Sequence, residues 1–200
     1  MRPHRTQAER SEHTRELLLE ATIECLVELG YARTTVQEIC LRAGLSRGAQ
    51  QHHFTTKAEL MASALQHLFA RLSQEVQAAA ERLPPGPGRI AAGIDLLWQA
   101  YSGTLSTAAM ELWVAARTDP ELRGILLPVD RALGHATLEL YRHAAAETDE
   151  KVLEKVLLLT VNLTRGLALD AMLGGDPARR AALLDEWKAI VLAHYQGAGL

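Results

Sequence analysis

Apolar residues along this chain recur every three or four positions, and alternating strand-like segments are nearly absent. Such spacing predicts amphipathic helices, because 3.6 residues complete one helical turn. The first helix begins at a capping motif that starts at Thr6, or near Ser11, and ends at Gly30. Its apolar face consists of Leu18, Ala21, Cys25 and Leu29.

A different pattern follows between residues 34 and 57. A short amphipathic helix over 36–43 ends at Gly44, and Ser46 then begins a second short helix that is almost wholly polar. Two short helices joined by a tight turn form a helix-turn-helix, here at about residues 35–54. The second helix of that motif enters the major groove of DNA, which explains why its outer face is polar.

The rest of the chain is predicted to be helical as well. A long helix runs from Lys57 to about Leu83, where the sequence PPGPG ends it. Five further helices are expected at about 89–102, 106–118, 120–147, 149–173 and 177–195, and Pro128 should kink or split the third of them. The predicted fold is all-α with about nine helices. Residues 1–56 would form a DNA-binding domain and residues 57–200 a second helical domain.

Composition and charge are consistent with a folded protein that binds nucleic acid. The chain is 48% hydrophobic and 22% charged, with a net charge of −3. Residues 30–57 carry a charge of +3, whereas residues 58–200 carry −4. A basic segment in an otherwise acidic chain indicates a DNA-facing surface.

Several other classes of protein find no support in the sequence. Cys25 and Cys40 lie among apolar residues and read as small buried side chains, without metal-ligand spacing. The apolar segment around residues 156–169 contains Asn162 and Arg165, so no membrane span is expected. Catalytic motifs are absent, and we expect neither an enzyme nor a cofactor nor a metal site. The expected location is the cytoplasm.

One segment of the chain resembles a known protein family. Tyr31, followed by TTVQEICLRAGLSRGAQQHHF and then TKAEL, resembles the N-terminal domain of the TetR family of bacterial transcription regulators over about residues 12–72. Residues 111–123 and 164–173 are similar to parts of that family's C-terminal domain. The matching positions are Gly30, Thr34, Ile39, Ala43, Gly44, Ser46, Gly48, His53, Phe54, Lys57 and Leu60. The resemblance implies a three-helix DNA-binding domain followed by a helical domain that binds an effector and dimerises.

DNA contacts are expected from the second short helix and from helix N-termini. Arginine can bind guanine and glutamine can bind adenine through paired hydrogen bonds, while free N–H groups at a helix start attract phosphate. The predicted contacts are Thr34, Thr35, Arg47, Gly48, Ala49, Gln50, Gln51, His52, His53 and Lys57.

Two of these positions depart from the family pattern. The family usually carries an apolar residue at the position of Gln50 and an aromatic residue at that of Gln51. Such an aromatic residue typically contacts a phosphate. Gln51 either replaces that contact or reads a base.

The C-terminal half suggests a dimer and an effector pocket. The helix over 149–173 is apolar around most of its circumference, so it serves either as a central helix or, together with the helix over 177–195, as part of a four-helix dimer interface. The family binds small effectors in this domain, and aromatic walls with a few polar groups suit a pocket. The candidate pocket residues, which ordinary core and surface positions would also explain, are Trp98, Tyr101, Met110, Trp113, Arg117, Asn162 and Arg165. Asn162 and Arg165 could instead form hydrogen bonds across a dimer.

These observations predict a homodimeric, ligand-responsive regulator of transcription. It would be a repressor that a small-molecule effector releases from a palindromic operator in double-stranded DNA. The alternatives are an activator of the same fold and a helical protein-interaction module whose helix-turn-helix is only structural.

Overall fold

The computed structural model describes residues 6–83, 88–144 and 150–197, and this part of the chain forms nine α-helices and no strand. The all-α prediction is therefore confirmed. The helices are α1 (Gln7–Arg33), α2 (Val36–Ala43), α3 (Arg47–His53), α4 (Lys57–Ala80), α5 (Gly88–Tyr101), α6 (Thr104–Ala116), α7 (Pro120–Ala144), α8 (Glu150–Met172) and α9 (Pro177–Gly197).

Helix α1 begins at the predicted capping box and extends beyond its predicted end. The Thr6 side chain accepts a hydrogen bond from the Glu9 N–H, and the Glu9 carboxylate accepts one from the Thr6 N–H. Gly30 leaves the helical conformation, with φ +73° and ψ +166°, but helical structure resumes after it and continues to Arg33. The glycine thus marks a kink inside α1 and not its end.

Helix α7 is continuous through Pro128, so of the two predicted effects of this proline, a kink or a split, the split does not occur. A proline inside a helix removes one backbone hydrogen bond and costs about 3 kcal/mol. Leu122, Leu126 and Val129 are buried on the same helix. Burying each such side chain contributes roughly 1.5–3 kcal/mol, which is enough to offset the proline.

The chain divides into two compact units. The first contains the chain up to Leu68 together with Ala108–Asp130, and thus α1, α2, α3, the first half of α4, most of α6 and the start of α7. Its most deeply buried side chains are Leu18, Leu19, Leu26, Ile39, Leu60, Met61, Leu65, Leu68, Leu112 and Leu122. This core fixes the helices on which the helix-turn-helix rests.

The second unit contains Phe69–Thr107 and the chain from Arg131 onward. Its core is formed by α5, α8 and α9, whose buried residues are Ile94, Leu97, Leu153, Val156, Leu157 and Val191. The sequence predicted that a DNA-binding domain ends at residue 56 and a second domain begins at residue 57. The packing of the helices does not test which residues bind DNA, so this boundary stays a prediction. Among the described residues, no helix is sufficiently long and apolar to cross a membrane.

Candidate nucleic-acid interface

Helices α2 and α3 are joined by a turn whose geometry depends on one glycine. Gly44 adopts a left-handed conformation with φ +66°, and the Leu45 N–H donates to the Cys40 carbonyl at 2.9 Å. Thr35 caps α2 by accepting from the Glu38 N–H at 3.1 Å, and Ser46 caps α3 by accepting from the Ala49 N–H at 3.2 Å. The predicted helix-turn-helix is present with these caps in place.

The inner side of the motif is buried in the first unit. Ile39 and Phe54 are almost fully buried, and Cys40 is buried as predicted. Burial raises the pKa of the Cys40 thiol, so this cysteine is an unreactive core residue. The packing fixes α3 and leaves its opposite side accessible.

Most of the predicted DNA-contacting residues lie on that accessible side. Arg47, Gly48, Gln51 and His52 are exposed on α3, while Ala49 and His53 are partly exposed. Thr35 is exposed at the N-terminus of α2. These residues give α3 a polar surface rich in hydrogen-bond donors, as a helix in a DNA groove requires.

The position of Gln50 contradicts the predicted contact between its side chain and DNA. Its side chain is only 3% exposed, and its Nε2 donates to the Phe54 carbonyl at 2.9 Å. This amide ties the end of α3 to the core and does not face solvent. The family resemblance already indicated that this position is buried, because an apolar residue usually occupies it.

Thr34 is likewise turned inward, and Lys57 is partly buried. Thr34 is fully buried, and its hydroxyl donates to the Gly30 carbonyl at 2.8 Å. The Lys57 ammonium lies 3.2 Å from the Tyr31 carbonyl oxygen and 4.1 Å from the centre of the Tyr31 ring. The Thr34 side chain is not positioned for the DNA contact that the sequence predicted, whereas the Lys57 contact stays a prediction.

The positive charge of the motif is also distributed differently than the sequence indicated. Arg42 lies 2.8 Å from the Glu28 carboxylate of α1, so its charge is largely neutralised. Arg15 of α1, which sequence reasoning missed, lies 5.6 Å from the centre of the Phe54 ring beside α3. Only the packing of α1 against α3 reveals it, since the two residues are far apart in the chain.

The two histidines at the end of α3 lie side by side, with ring centres 5.3 Å apart. Partial burial of His53, and then the nearby His52 and Arg15, lower the pKa of His53. This ring is therefore neutral at pH 7 and acts there as a hydrogen-bonding group. Within the described residues, no cluster of histidine, cysteine or carboxylate side chains could bind a metal ion.

Tyr31 connects the helix-turn-helix to α6 and α7 within the first unit. Its backbone N–H donates to Glu111 Oε2 at 2.8 Å, and its hydroxyl donates to Asp119 Oδ2 at 3.1 Å. Asp119 also caps α7 by accepting from the Leu122 N–H at 3.0 Å. This network had no sequence signal, because its members lie as far as 88 positions apart.

The second unit contains a cavity of about 660 Å³ bordered by α4, α5 and α7. Its lining is mostly apolar and consists of Phe69, Ala70, Ser73, Val76, Gln77, Ala80, Glu81, Arg89, Gly93, Leu96, Leu97, Ala136 and Glu139. The Ser73 hydroxyl is buried and has no hydrogen-bond partner. A buried hydroxyl without a partner favours a ligand or water that can bond to it.

The predicted pocket residues do not line this cavity. Met110, Trp113 and Arg117 belong to the first unit, and the Tyr101 side chain lies outside the described residues. Trp98 borders a second cavity of about 390 Å³ between α5 and α9, whose lining includes the Lys188–Asp95 ion pair. The sequence analysis favoured aromatic side chains as pocket walls, whereas the 660 Å³ cavity is lined mainly by small and aliphatic side chains.

One side of α8 is apolar and exposed. Leu158, Leu159, Leu169 and Met172 are 41–56% exposed, and Asn162 lies on the same side, where its amide donates to the Leu158 carbonyl. Leu183 and Ile190 of α9 are 44% and 51% exposed. The sequence predicted that α8 is apolar around most of its circumference. In the structure, one apolar side of α8 is buried and another is exposed. Arg165 is partly buried on the same helix.

Comparison with known proteins agrees with this geometry. The sequence model described as bacterial regulatory proteins, tetR family, matches residues 18–64. The HTH-type transcriptional regulator CymR of Pseudomonas putida is 32% identical over 179 residues, covering 88% of this chain and 87% of CymR. The HTH-type transcriptional repressor AcnR of Corynebacterium diphtheriae is 26% identical, covering 86% and 87%. A crystal structure of a transcriptional regulator from Rhodococcus superposes with a TM-score of 0.69 at 26% identity, covering 92% and 96%.

Proposed function

Because the chain belongs to the TetR family of bacterial regulatory proteins, whose members bind DNA and regulate transcription, we propose that it is a homodimeric repressor. Two copies of α3 would bind a palindromic operator, and a small molecule bound in the second unit would release them. Regulators of this family usually act as dimers with small-molecule effectors. The expected site of action is the cytoplasm.

The accessible polar side of α3 is the observation that carries the proposal. A helix that contributes to a core buries one side and leaves mixed residues outside. Helix α3 instead exposes Arg47, Gln51 and His52 next to Gly48 and Ala49, whose small size permits close approach to a groove. A capped turn and a buried inner side give the helix a fixed orientation, which sequence-specific contacts need.

The exposed apolar side of α8 and α9 supports a dimer. One seven-residue recognition helix reads too few base pairs to select an operator. A second copy with its α3 helix one helical turn of DNA away, about 34–36 Å, would read a second half-site. Pairing α8 and α9 with their copies would bury the leucines that one subunit leaves exposed.

The cavity in the second unit supports an effector. Its volume lies within the roughly 300–1,000 Å³ that small-molecule sites usually have, and its lining is predominantly apolar. The unpartnered Ser73 hydroxyl could bind one polar group of the ligand. An effector can release DNA only if it binds the released conformation more tightly than the DNA-bound one.

The proposal is tested by selecting sequences from random DNA with the purified dimer. We expect a palindromic site whose half-sites are one turn apart and whose binding survives competition by nonspecific DNA. Repeating the measurement with candidate apolar metabolites should identify a ligand that lowers the affinity. A protein with no preference among DNA sequences would instead support an interaction module. A regulated promoter whose output falls when the gene is deleted would indicate an activator.

Replacing Arg47 with alanine tests the recognition helix directly. If Arg47 reads a base, Arg47→Ala should weaken operator binding by about 1–3 kcal/mol and relax the preference at one base pair of each half-site. Arg123→Ala removes an exposed arginine of α7 and serves as the control. Equal operator affinities of the Arg47 variant and the wild type, in shift assays at one salt concentration, would refute the role of Arg47.

A further inference from the structure

The residues of α4 that line the cavity of about 660 Å³ lie on one side of that helix. They recur every three or four positions from Phe69 to Glu81, which places them along about 18 Å of helix at 1.5 Å per residue. Small residues on three helices, among them Ala80, Gly93 and Ala136, leave the space open. The cavity therefore follows α4 and suits a ligand that is longer than it is wide.

The charged groups of the lining lie towards the surface. Glu81 and Glu139 are exposed, and Glu139 forms an ion pair with Arg142. The Arg89 guanidinium donates to two carbonyl oxygens at and just beyond the end of α4, at 3.2 and 2.6 Å. Two carboxylates and two guanidinium groups thus balance one another at the edge of the cavity.

The interior of the cavity is apolar apart from one hydroxyl group. Phe69, Val76 and Leu97 are only 5–9% exposed. Ser73 lies between the first two on α4, and its Oγ is buried without a hydrogen-bond partner. Because no hydrogen bond holds this hydroxyl, it can rotate about the Cα–Cβ bond into the cavity. A serine hydroxyl both donates and accepts, so it can bond to a hydroxyl or to a carbonyl of a ligand.

We infer that the cavity binds an elongated, uncharged lipophile whose hydroxyl or carbonyl oxygen bonds to Ser73. An ion in the apolar interior would lose its hydration without gaining a net counter-charge, because the charges at the edge balance. A pure hydrocarbon would leave the Ser73 hydroxyl unpaired. The inference rests on the proposed role of this cavity as the effector site and names the class of effector.

Octanol, octanoate and octylammonium test the preference for an uncharged ligand, since they share one alkyl chain and differ in the end group. Their affinities for the purified full-length protein are measured by titration calorimetry at pH 7 without DNA. Octanol should bind most tightly. Octanoate and octylammonium should each bind more than about 10-fold more weakly, because neither finds a net opposite charge.

Replacing Ser73 with alanine tests the hydrogen bond to the ligand. Ser73→Ala should lower the affinity for octanol by about 2- to 10-fold, which corresponds to the net contribution of one hydrogen bond. Ser63→Ala is the matched control, because Ser63 is a partly buried serine of the same helix that belongs to the first unit and does not line the cavity. This variant should bind octanol as the wild type does.

Filling the cavity tests whether it is the binding site. A Cβ atom added at Gly93 would meet nothing within 4 Å, and leucine is a stronger helix former than glycine, so Gly93→Leu should fold. Its side chain occupies the space intended for the ligand, and the affinity for octanol should fall by more than about 10-fold. Thermal unfolding without ligand checks that the variant is folded.

The outcomes separate the inference from the function on which it rests. An absence of octanol binding, or octanol affinity that is unchanged in Ser73→Ala or in a folded Gly93→Leu, would overturn the inference. Octanoate that binds as tightly as octanol, and loses that affinity in Arg89→Met, would overturn it in favour of an anionic ligand. None of these results concerns DNA binding.

The same probe then tests the proposed function. Octanol that binds in the cavity and weakens operator binding would support both the ligand class and the proposed release. Octanol that binds in the cavity but leaves operator affinity unchanged would retain the ligand class and remove the proposed release. A wild-type protein without any preferred DNA sequence would remove the proposed function itself.

Discussion

Two neighbouring glutamines of α3 differ in solvent exposure because they lie on different sides of the helix. Gln50 is 3% exposed and bonded to the Phe54 carbonyl, whereas Gln51 is exposed to solvent. Their side chains point about 100° apart, since each residue advances the helix by that angle. The first glutamine is structural, and the second is free to contact DNA.

Alanine substitutions should separate these two roles. Gln50→Ala should lower the free energy of unfolding by about 1–3 kcal/mol, because it empties a buried site and leaves the Phe54 carbonyl without its donor. Gln51→Ala should change stability by less than about 0.5 kcal/mol and weaken operator binding. Denaturant unfolding and shift assays measure both effects. A stability loss from Gln51→Ala as large as that from Gln50→Ala would contradict the assignment.

His53 should make the protein less stable in mild acid. Its pKa in the folded protein is lowered from the ordinary value of about 6.5, chiefly by burial. Below that pH the unfolded chain binds the proton more readily than the folded protein does, so stability falls as the pH drops below about 6.5. His53→Gln should therefore show a smaller loss of stability between pH 7 and pH 5. If the thermal stability of the wild type and of His53→Gln depended on pH in the same way, His53 would not be the source of the acid sensitivity.

At the scale of the elements, two glycines shape the helices of the first unit in different ways, since Gly44 ends α2 and Gly30 interrupts α1. Gly44 ends α2 in the left-handed region, and a methyl group there would meet nothing within 4 Å. Gly30 combines φ +73° with an extended ψ of +166°, a region that glycine occupies almost alone. A methyl group at Gly30 would also lie 2.9 Å from Glu111 Oε2, the acceptor of the Tyr31 N–H.

Gly30→Ala should therefore be more damaging than Gly44→Ala. The second substitution should cost about 1–2 kcal/mol, the ordinary penalty of a left-handed residue with a side chain. The first should cost about 1–3 kcal/mol for its backbone alone, and displacement of Glu111 adds to that. Urea denaturation of both variants provides the comparison. Equal losses would show that the contact with Glu111 contributes nothing.

At the scale of the whole molecule, the exposed apolar side of α8 and α9 is the surface that we propose for the dimer. Leu169 is 50% exposed in a single subunit, as is expected of a residue that a second copy covers. Val114 of α6 is even more exposed, at 67%, but it lies outside α8 and α9. The two residues therefore provide a matched pair.

Leu169→Glu should yield monomers, because the dimer would have to bury a charge without a partner. Operator affinity should then fall by a factor on the order of 10² or more, since two linked half-sites typically gain 10²–10⁴ in avidity. Val114→Glu should leave both properties unchanged. Sedimentation and shift assays measure assembly and binding. A dimeric Leu169→Glu protein would place the interface elsewhere.

The sequence by itself determined the helices, the capped turn at Gly44 and the polar character of α3, because periodicity, caps and turn residues act over a few neighbouring positions. It did not determine which polar residues of the helix-turn-helix face solvent. Gln50 and Thr34 are turned inward by partners at Phe54 and Gly30, and the partly buried Lys57 donates to the Tyr31 carbonyl. The side on which each of them lies is a property of how α1, α3 and α4 pack together.

The tertiary structure alone decided the contacts between distant positions. Tyr31 meets Glu111 and Asp119 because α6 and α7 pack in the same unit as α1, and Arg15 reaches Phe54 because α1 packs against α3. The cavity bordered by α4, α5 and α7 depends on the same kind of packing. Local chemistry specifies elements, whereas the positions of side chains around a site depend on all the helices that are buried together.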